Sequence, residues 1–286
     1  MENLVVFHNG QPFYVPLVSP TDANASNLRV IRNGATYAPL RYFDEPINML
    51  NGRTLADVQQ IFQRGLGKYY FKAGDFFDIT FTARINLQNS GVIEDGSSWR
   101  VVCLGIDHNP DIEGYNRGHF CIGRNTDNIE ICFYSKEHKS TNDNSGGWAV
   151  SKIRTFLNST FYNALSPELQ AVITPCDKYT DNVAGGTYDT ENMSITSDKL
   201  WLMSFYEISG STYNVNPAEA NLLQRYDYYK NGNSVIRYHH TNLQEHKYTT
   251  RSPTTFKSYF KGRQVSYWGN PGAPTNVGFA PCFTIS

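Results

Sequence analysis

A chain of 286 residues and 32.4 kDa is long enough to bury a substantial core and too long for a peptide hormone or a disulfide miniprotein. Its 25 Lys+Arg against 26 Asp+Glu leave a formal net charge of -1, so no global field draws it to nucleic acid or anionic lipid. Charged residues make up only 18% of the chain while aromatics reach 14%. With 27 Asn, 22 Gly and 13 Pro, that composition suits a loop-rich β protein with an uncharged, hydrogen-bonding surface.

The opening Met1-Glu2-Asn3-Leu4 has no basic n-region or apolar h-region, and no apolar run approaches the roughly 18 residues a membrane span needs. The expectation is a chain made in the cytoplasm without signal peptide or membrane insertion. Within residues 1–42, Leu4 to Phe7, Phe13 to Val18, Leu28 to Ile31 and Thr36 to Leu40 are β-prone runs. Asn9-Gly10 and Asn33-Gly34 between them signal two hairpins, and Pro20-Thr21-Asp22 adds a further break. At Thr54 the period becomes helical through Leu55, Val58, Ile61 and Phe62; Thr54 and Asp57 are spaced to cap the run, and Gly65 and Gly67 stop it.

Asp78 to Leu87 alternates as one strand with Ile79, Phe81, Ala83, Ile85 and Leu87 on a shared face. Arg100 to Ile106, His119 to Gly123 and Ile129 to Tyr134 read as further strands, the first central. A helix is expected from Ser151 to Phe161, another from the Ser166 cap with Pro167 at its first position, and a fourth over Pro217 to Tyr229. The fold class is α+β. The expected division is a small N-terminal β unit over residues 1–45 and a larger mixed domain with short helices and long loops over residues 46–286.

Chemical signatures are sparse. Gly65-Leu66-Gly67-Lys68 lacks the upstream Gly and following Ser/Thr of a phosphate loop, and reads as a helix end. No G-x-S-x-G elbow and no H-E-x-x-H helix occurs in the sequence. Cys103, His108, His119, Cys121 and Cys132 fall close enough to suggest zinc, but Cys103 and Cys132 lie in apolar strand-like runs, where free thiols pack as small hydrophobes. The five cysteines, an odd number without a C-x-x-C pair, read as reduced. No metal and no cofactor is expected.

Paired carboxylates for glycoside hydrolysis come from Glu94 with Asp95 or from Asp107, Asp111 and Glu113. The sequons at Asn24, Asn158 and Asn192 read as accidents of an Asn-rich chain, and His239-His240 with His246 as surface or core donors. More informative is the late run of planar side chains, including Tyr226, Tyr228, Tyr229 and Tyr248. Among them Tyr238, His240, Tyr267, Trp268 and Asn270 are the candidate ligand-binding residues, because aromatic faces and amides bind sugars or partner side chains at small entropic cost.

The order of short motifs carries a resemblance. Gly147-Trp148, Ile153-Arg154-Thr155-Phe156-Leu157-Asn158, Asp198-Lys199-Leu200-Trp201-Leu202-Met203-Ser204, Thr250-Arg251-Ser252-Pro253 and Gly278-Phe279-Ala280-Pro281-Cys282-Phe283 resemble an uncharacterised domain family common in phages and in surface proteins of Gram-positive bacteria. The resemblance covers about residues 50–286. Members are distantly similar to the C-type-lectin-like fold shared with formylglycine-generating enzymes. It implies scaffold roles for Trp148, Arg154, Phe156, Leu157, Trp201, Arg251, Pro281 and Phe283: a helix docked on a sheet, a loop end tied by Arg251, and one closing strand from Gly278 to Phe283. No Trp-Asn-Asp calcium motif occurs, since Trp268-Gly269-Asn270-Pro271 does not reproduce it, and no catalytic cysteine pair matches.

What the resemblance implies is a non-enzymatic phage virion protein, a head decoration or a tail or baseplate component. The N-terminal unit would hold other virion proteins, and the lectin-like domain would meet a host-surface glycan, with self-association into a homo-oligomer among the implied partners. The alternatives are a carbohydrate-active hydrolase using a carboxylate pair and a bacterial surface adhesin.

Overall fold

The computed structural model describes residues 3–8, 11–18, 30–32, 35–39, 46–88, 91–187, 189–263 and 267–286. Local capping rules place the helices. The Thr54 hydroxyl accepts from the Asp57 amide and the Asp57 carboxylate accepts from the Thr54 amide, a reciprocal box that starts Leu55–Gln63. Ser166 caps Pro167–Val172 with Pro at its first position, and Ser204 with Glu207 boxes Phe205–Ser209. Ser151 caps Lys152–Phe156, which runs on as a π turn over Leu157–Phe161. No helix is long and apolar enough to cross a membrane among the described residues.

Two sheets dominate the described part of residues 46–286. In one, the strand order is Ile173–Thr174, Cys282–Ile285, Gly118–Arg124, Ser98–Ile106 and Phe76–Thr80, all antiparallel. In the other it is Tyr238–His239, Ile131–Lys136, Val277–Phe279, Tyr248–Pro253, Phe260–Arg263 and Trp268–Gly269. The first of these pairs and the Val277–Phe279 to Tyr248–Pro253 pair are parallel. Near the N-terminus, Asn3–His8, Gln11–Val18, Ala35–Pro39 and Val30–Arg32 form a four-stranded antiparallel sheet in that order. The turns expected at Asn9-Gly10 and Asn33-Gly34 and the break at Pro20-Thr21-Asp22 lie outside the described residues. Helices and sheets in this mixture make the fold α+β.

Aromatic rings fill the core in two groups. Phe62, Phe77 and Phe283 close on Phe120, with centroids 5.5–6.1 Å apart. Phe81, Trp99, Phe161 and Phe279 surround Phe133 at 5.1–6.3 Å. Trp148, Leu157, Trp201 and Phe283 are fully buried, and Phe156 nearly so. Gly147 is required: its φ is +50°, and a Cβ there would sit 2.0 Å from the Asp181 carbonyl oxygen.

Three expected elements are broken, each by a tertiary demand. The strand expected over Asp78 to Leu87 becomes Phe76–Thr80 and Ile85–Asn86. Thr82 leaves the ladder to donate to the Ala164 carbonyl, and Ala83 is exposed. The helix expected over Pro217 to Tyr229 becomes two single turns, Glu219–Leu222 and Asp227–Lys230. Between them the Tyr226 amide donates to the Glu207 carbonyl rather than to a helical partner. The single closing strand becomes Val277–Phe279 and Cys282–Ile285, in different sheets. Pro281 has no amide hydrogen to continue a ladder, and its carbonyl accepts from Ile122.

Replacing Thr54 by Ala removes one half of the capping box and should cost about 1 kcal/mol. Trp148→Ala empties a fully buried site and should cost about 3–5 kcal/mol. Urea unfolding of both variants tests this order; equal losses would contradict it.

Candidate functional site

The interior carries an unusual load of charge. Arg251 lies within Tyr248–Pro253 and is fully buried. Its guanidinium donates to Glu207, to the Leu202 carbonyl at 2.8 Å, to Thr180 Oγ1 at 3.0 Å and to the Tyr179 carbonyl at 3.3 Å. Glu207 also accepts from the Ser204 amide and from Lys178 Nζ. Lys178 donates to the Tyr226 hydroxyl at 2.8 Å and approaches Glu113 Oε1 at 2.8 Å. Burial works to raise the Glu207 carboxyl, but Arg251 and Lys178 outweigh it and hold the group far below its ordinary range.

A second buried tie is made of the family-like motif residues themselves. Asp198 accepts from Trp148 Nε1 at 3.0 Å and from Arg154 Nε at 2.8 Å. The Asn158 side chain donates to the Arg154 and Leu200 carbonyls and accepts from the Lys199 and Leu200 amides. Trp201 exchanges backbone bonds with Cys282. The Asn158 sequon is therefore a packed structural amide, and the Asn24 sequon lies outside the described residues.

The carboxylates considered for hydrolysis are engaged separately. Asp107 accepts from the Arg117 amide, and Asp111 accepts from the Tyr115 hydroxyl on an exposed turn. Glu113 is buried beside His108, His119 and Lys178. Glu94 pairs with Arg84 at the surface. The five cysteines are free and buried; burial pushes the Cys132 thiol up to about 12. His108 and His119 do come together, but with Glu113 rather than with cysteines.

The late aromatic run divides. Tyr226, Tyr228, Tyr229 and Tyr248 are buried, because their hydroxyls serve interior charges and carbonyls: Lys178, Glu130, Arg237 and the Val235 carbonyl respectively. His240 is also buried, with Nε2 at 3.1 Å from the Val92 carbonyl and Nδ1 accepting from the Tyr134 amide. Burial drives its imidazole down to about 4, so it is a neutral interior hydrogen-bonding group, not a surface ligand. Trp268 is half-buried against Phe205, centroids 4.9 Å apart. Asn270 is half-buried and accepts from Lys261 Nζ at 3.4 Å. Tyr267 projects, with 62% exposure.

Tyr238 instead lines an open depression of ≈ 620 Å³. One wall is the hairpin turn bearing Arg124, Asn128, Ile129 and Glu130; the other is Gly232, Asn233, Ser234 and Ile236, with Leu243 beyond. Arg124 Nε donates to Glu130 Oε1 at 2.8 Å, and the Tyr228 hydroxyl donates to the same carboxylate. Arg237 Nη1 reaches Glu130 Oε2 at 3.3 Å, so both arginines share this one carboxylate. Asn233 donates to the Tyr228 carbonyl, which holds its loop. The wall residues outside Tyr238 were not singled out in the sequence. Their signal was the polar turn Asn231-Gly232-Asn233-Ser234, unremarkable in a chain this rich in Asn.

With this geometry in place, the chain belongs to the family described as Domain of unknown function (DUF6273), which matches residues 125–286. The matched stretch contains the motif series from Gly147 to Phe283 and most of the depression. No curated protein and no solved structure matches the chain.

Glu219 offers a test of the interior electrostatics. Its Oε2 accepts from the Tyr206 amide, and Oε1 has no hydrogen-bond partner among the described residues. Burial pushes its carboxyl up to about 7, against the pull of Ser252 and Arg251. Because folding raises this pKa above its ordinary 4.5, the stabilisation is complete below about 4.5 and is lost as pH climbs through about 7. Glu219→Gln should therefore gain melting temperature relative to the unmodified chain between pH 5 and pH 8. A difference that stays constant across that range would exclude the raised pKa.

Proposed function

We propose that the chain is a non-enzymatic binding protein of a phage particle, in which the mixed C-terminal part takes a neutral host-surface glycan in the Tyr238 depression. The N-terminal four-stranded sheet attaches it to neighbouring virion proteins. The observation that carries the glycan reading is the depression itself. Its walls offer amide, hydroxyl and phenol groups beside Ile129, Ile236 and Leu243, the mixture of hydrogen-bonding and apolar surface that a sugar ring matches. Its acid, Glu130, is already paired with Arg124 and Arg237, so it is not a free carboxylate on the wall.

The virion reading is supported by the resemblance of the motif series to phage and Gram-positive surface domains, and by the low charge. The C-type-lectin-like architecture rests on that same resemblance.

A glycan array probed with the full chain tests the site. Binding to neutral glycans is expected, with about a tenfold loss on Tyr238→Ala and on Asn233→Ala. Absence of glycan binding, or binding untouched by both substitutions, would overturn the site. Mass spectrometry of purified particles tests the location, and absence of the chain from them would remove the virion reading.

A further inference from the structure

His108, Glu113 and His119 meet where the segment after Ser98–Ile106 folds back over Gly118–Arg124. Asn109, in the left-handed region at φ 46°, leads into the single turn Pro110–Glu113. That turn brings Glu113 back over His119, the second residue of Gly118–Arg124. The three side chains are 4%, 0% and 0% exposed.

The spacing fits a shared cation. His108 Nδ1 lies 3.0 Å from Glu113 Oε2, and His119 Nδ1 lies 3.4 Å from the same oxygen. One ligand atom from each residue falls within 4.8 Å of the others. Donor atoms that share a metal ion at about 2.0–2.1 Å stand about 3.0–3.4 Å apart, the edges of an octahedron or a tetrahedron.

The proton inventory points the same way. His108 Nε2 lies 2.8 Å from the Gln224 carbonyl oxygen, which only accepts, so Nε2 carries a hydrogen. In the neutral ring, Nδ1 then turns a lone pair toward a carboxylate oxygen, and that contact needs a hydrogen or a cation between them. A second proton on His108 would serve that pair alone. A divalent ion serves His108, Glu113 and His119 together. His119 is fully buried. Its Nε2 has no hydrogen-bond partner among the described residues. A backbone carbonyl on the far nitrogen, as Gln224 provides for His108, is how proteins orient a metal-bound imidazole.

Lys178 does not block the position. Its ammonium faces Glu113 Oε1 at 2.8 Å, out of line for a hydrogen bond, and is balanced on its other side by Glu207. Glu113 is thus divided, one oxygen toward the ammonium and one toward the imidazoles.

We propose that His108, Glu113 and His119 bind one divalent transition-metal ion of the zinc class. Two imidazoles with one carboxylate select such an ion over magnesium or calcium, which prefer all-oxygen sites. The ion fastens the turn carrying Glu113 to the five-stranded sheet, outside the family-matched residues 125–286 and away from the Tyr238 depression.

The test uses the full chain, stripped with chelator and titrated with zinc by calorimetry and with cobalt by visible absorption. One equivalent of zinc is expected, with cobalt d–d bands that excess magnesium does not remove. His119→Gln and Glu113→Gln should each weaken binding at least tenfold. If both variants fail to fold, the cobalt spectrum and stoichiometry of the unmodified chain decide. Lack of stoichiometric binding, absence of d–d bands, or unchanged affinity in folded variants would overturn the proposal.

Discussion

The buried ion pair of Arg251 and Glu207 is the constraint on which much of this fold rests. A charge taken fully out of water is tolerated only when it is matched and its hydrogen-bonding groups are filled. Arg251 meets that demand by drawing in Leu202, Thr180 and Tyr179, and Glu207 by drawing in Ser204 and Lys178. The strand Tyr248–Pro253, the Ser204 helix cap and the antiparallel pair Cys176–Asp181 and Met193–Asp198 are thereby fixed to one another by direction-specific bonds. Removing either partner would strand the other charge, at a cost of about 3–5 kcal/mol, so the segments around this pair hold together or fail together.

The same constraint explains which parts of the fold were legible in the sequence. Caps are local: Thr54 with Asp57, Ser166 before Pro167, and Ser151 before a periodic stripe specify helix starts within four residues, and the structure has them where the spacing puts them. Strands with continuous apolar runs, such as Ser98–Ile106, were legible for the same reason. What local pattern could not show is a backbone group claimed by a distant partner. Tyr226 breaks a helical pattern to reach Glu207, and Thr82 leaves a strand to reach Ala164. Pro281 shows the reverse: its missing amide was visible, but not that the chain would change sheets there.

Side-chain roles were less legible than elements. Tyr-rich composition is equally consistent with a display surface and with an interior that needs hydroxyls for buried charge. Periodicity cannot separate these, because both place aromatics among turn residues. The structure assigns Tyr226, Tyr228, Tyr229 and Tyr248 to the interior, while Tyr267 projects and Tyr238 lines the depression. The carboxylates divide along similar lines: Asp111 is outside and Glu113, two residues later, is inside. Both lie on the single-turn helix Pro110–Glu113, and a turn of four residues leaves little periodicity to read.

Low charge acquires a different meaning once these residues are placed. Part of the 18% of charged residues lies inside: Glu113, Glu130, Lys178, Asp198, Glu207, Arg237 and Arg251 are all buried. An exterior drawn from a total of only 18% charged residues is sparsely charged. Such a surface has little long-range steering and binds through short-range contact, by hydrogen bonds and ring faces in shaped depressions. The polar interior does the opposite work. Its ionic ties fix loops that a purely apolar core would leave free to repack, and the Asn-rich walls of the Tyr238 depression are loops of that kind. Asn233 holds to the Tyr228 carbonyl, Tyr228 to Glu130, and Glu130 to Arg124 and Arg237. The loops around the Tyr238 depression are kept in shape by the buried charges beneath them.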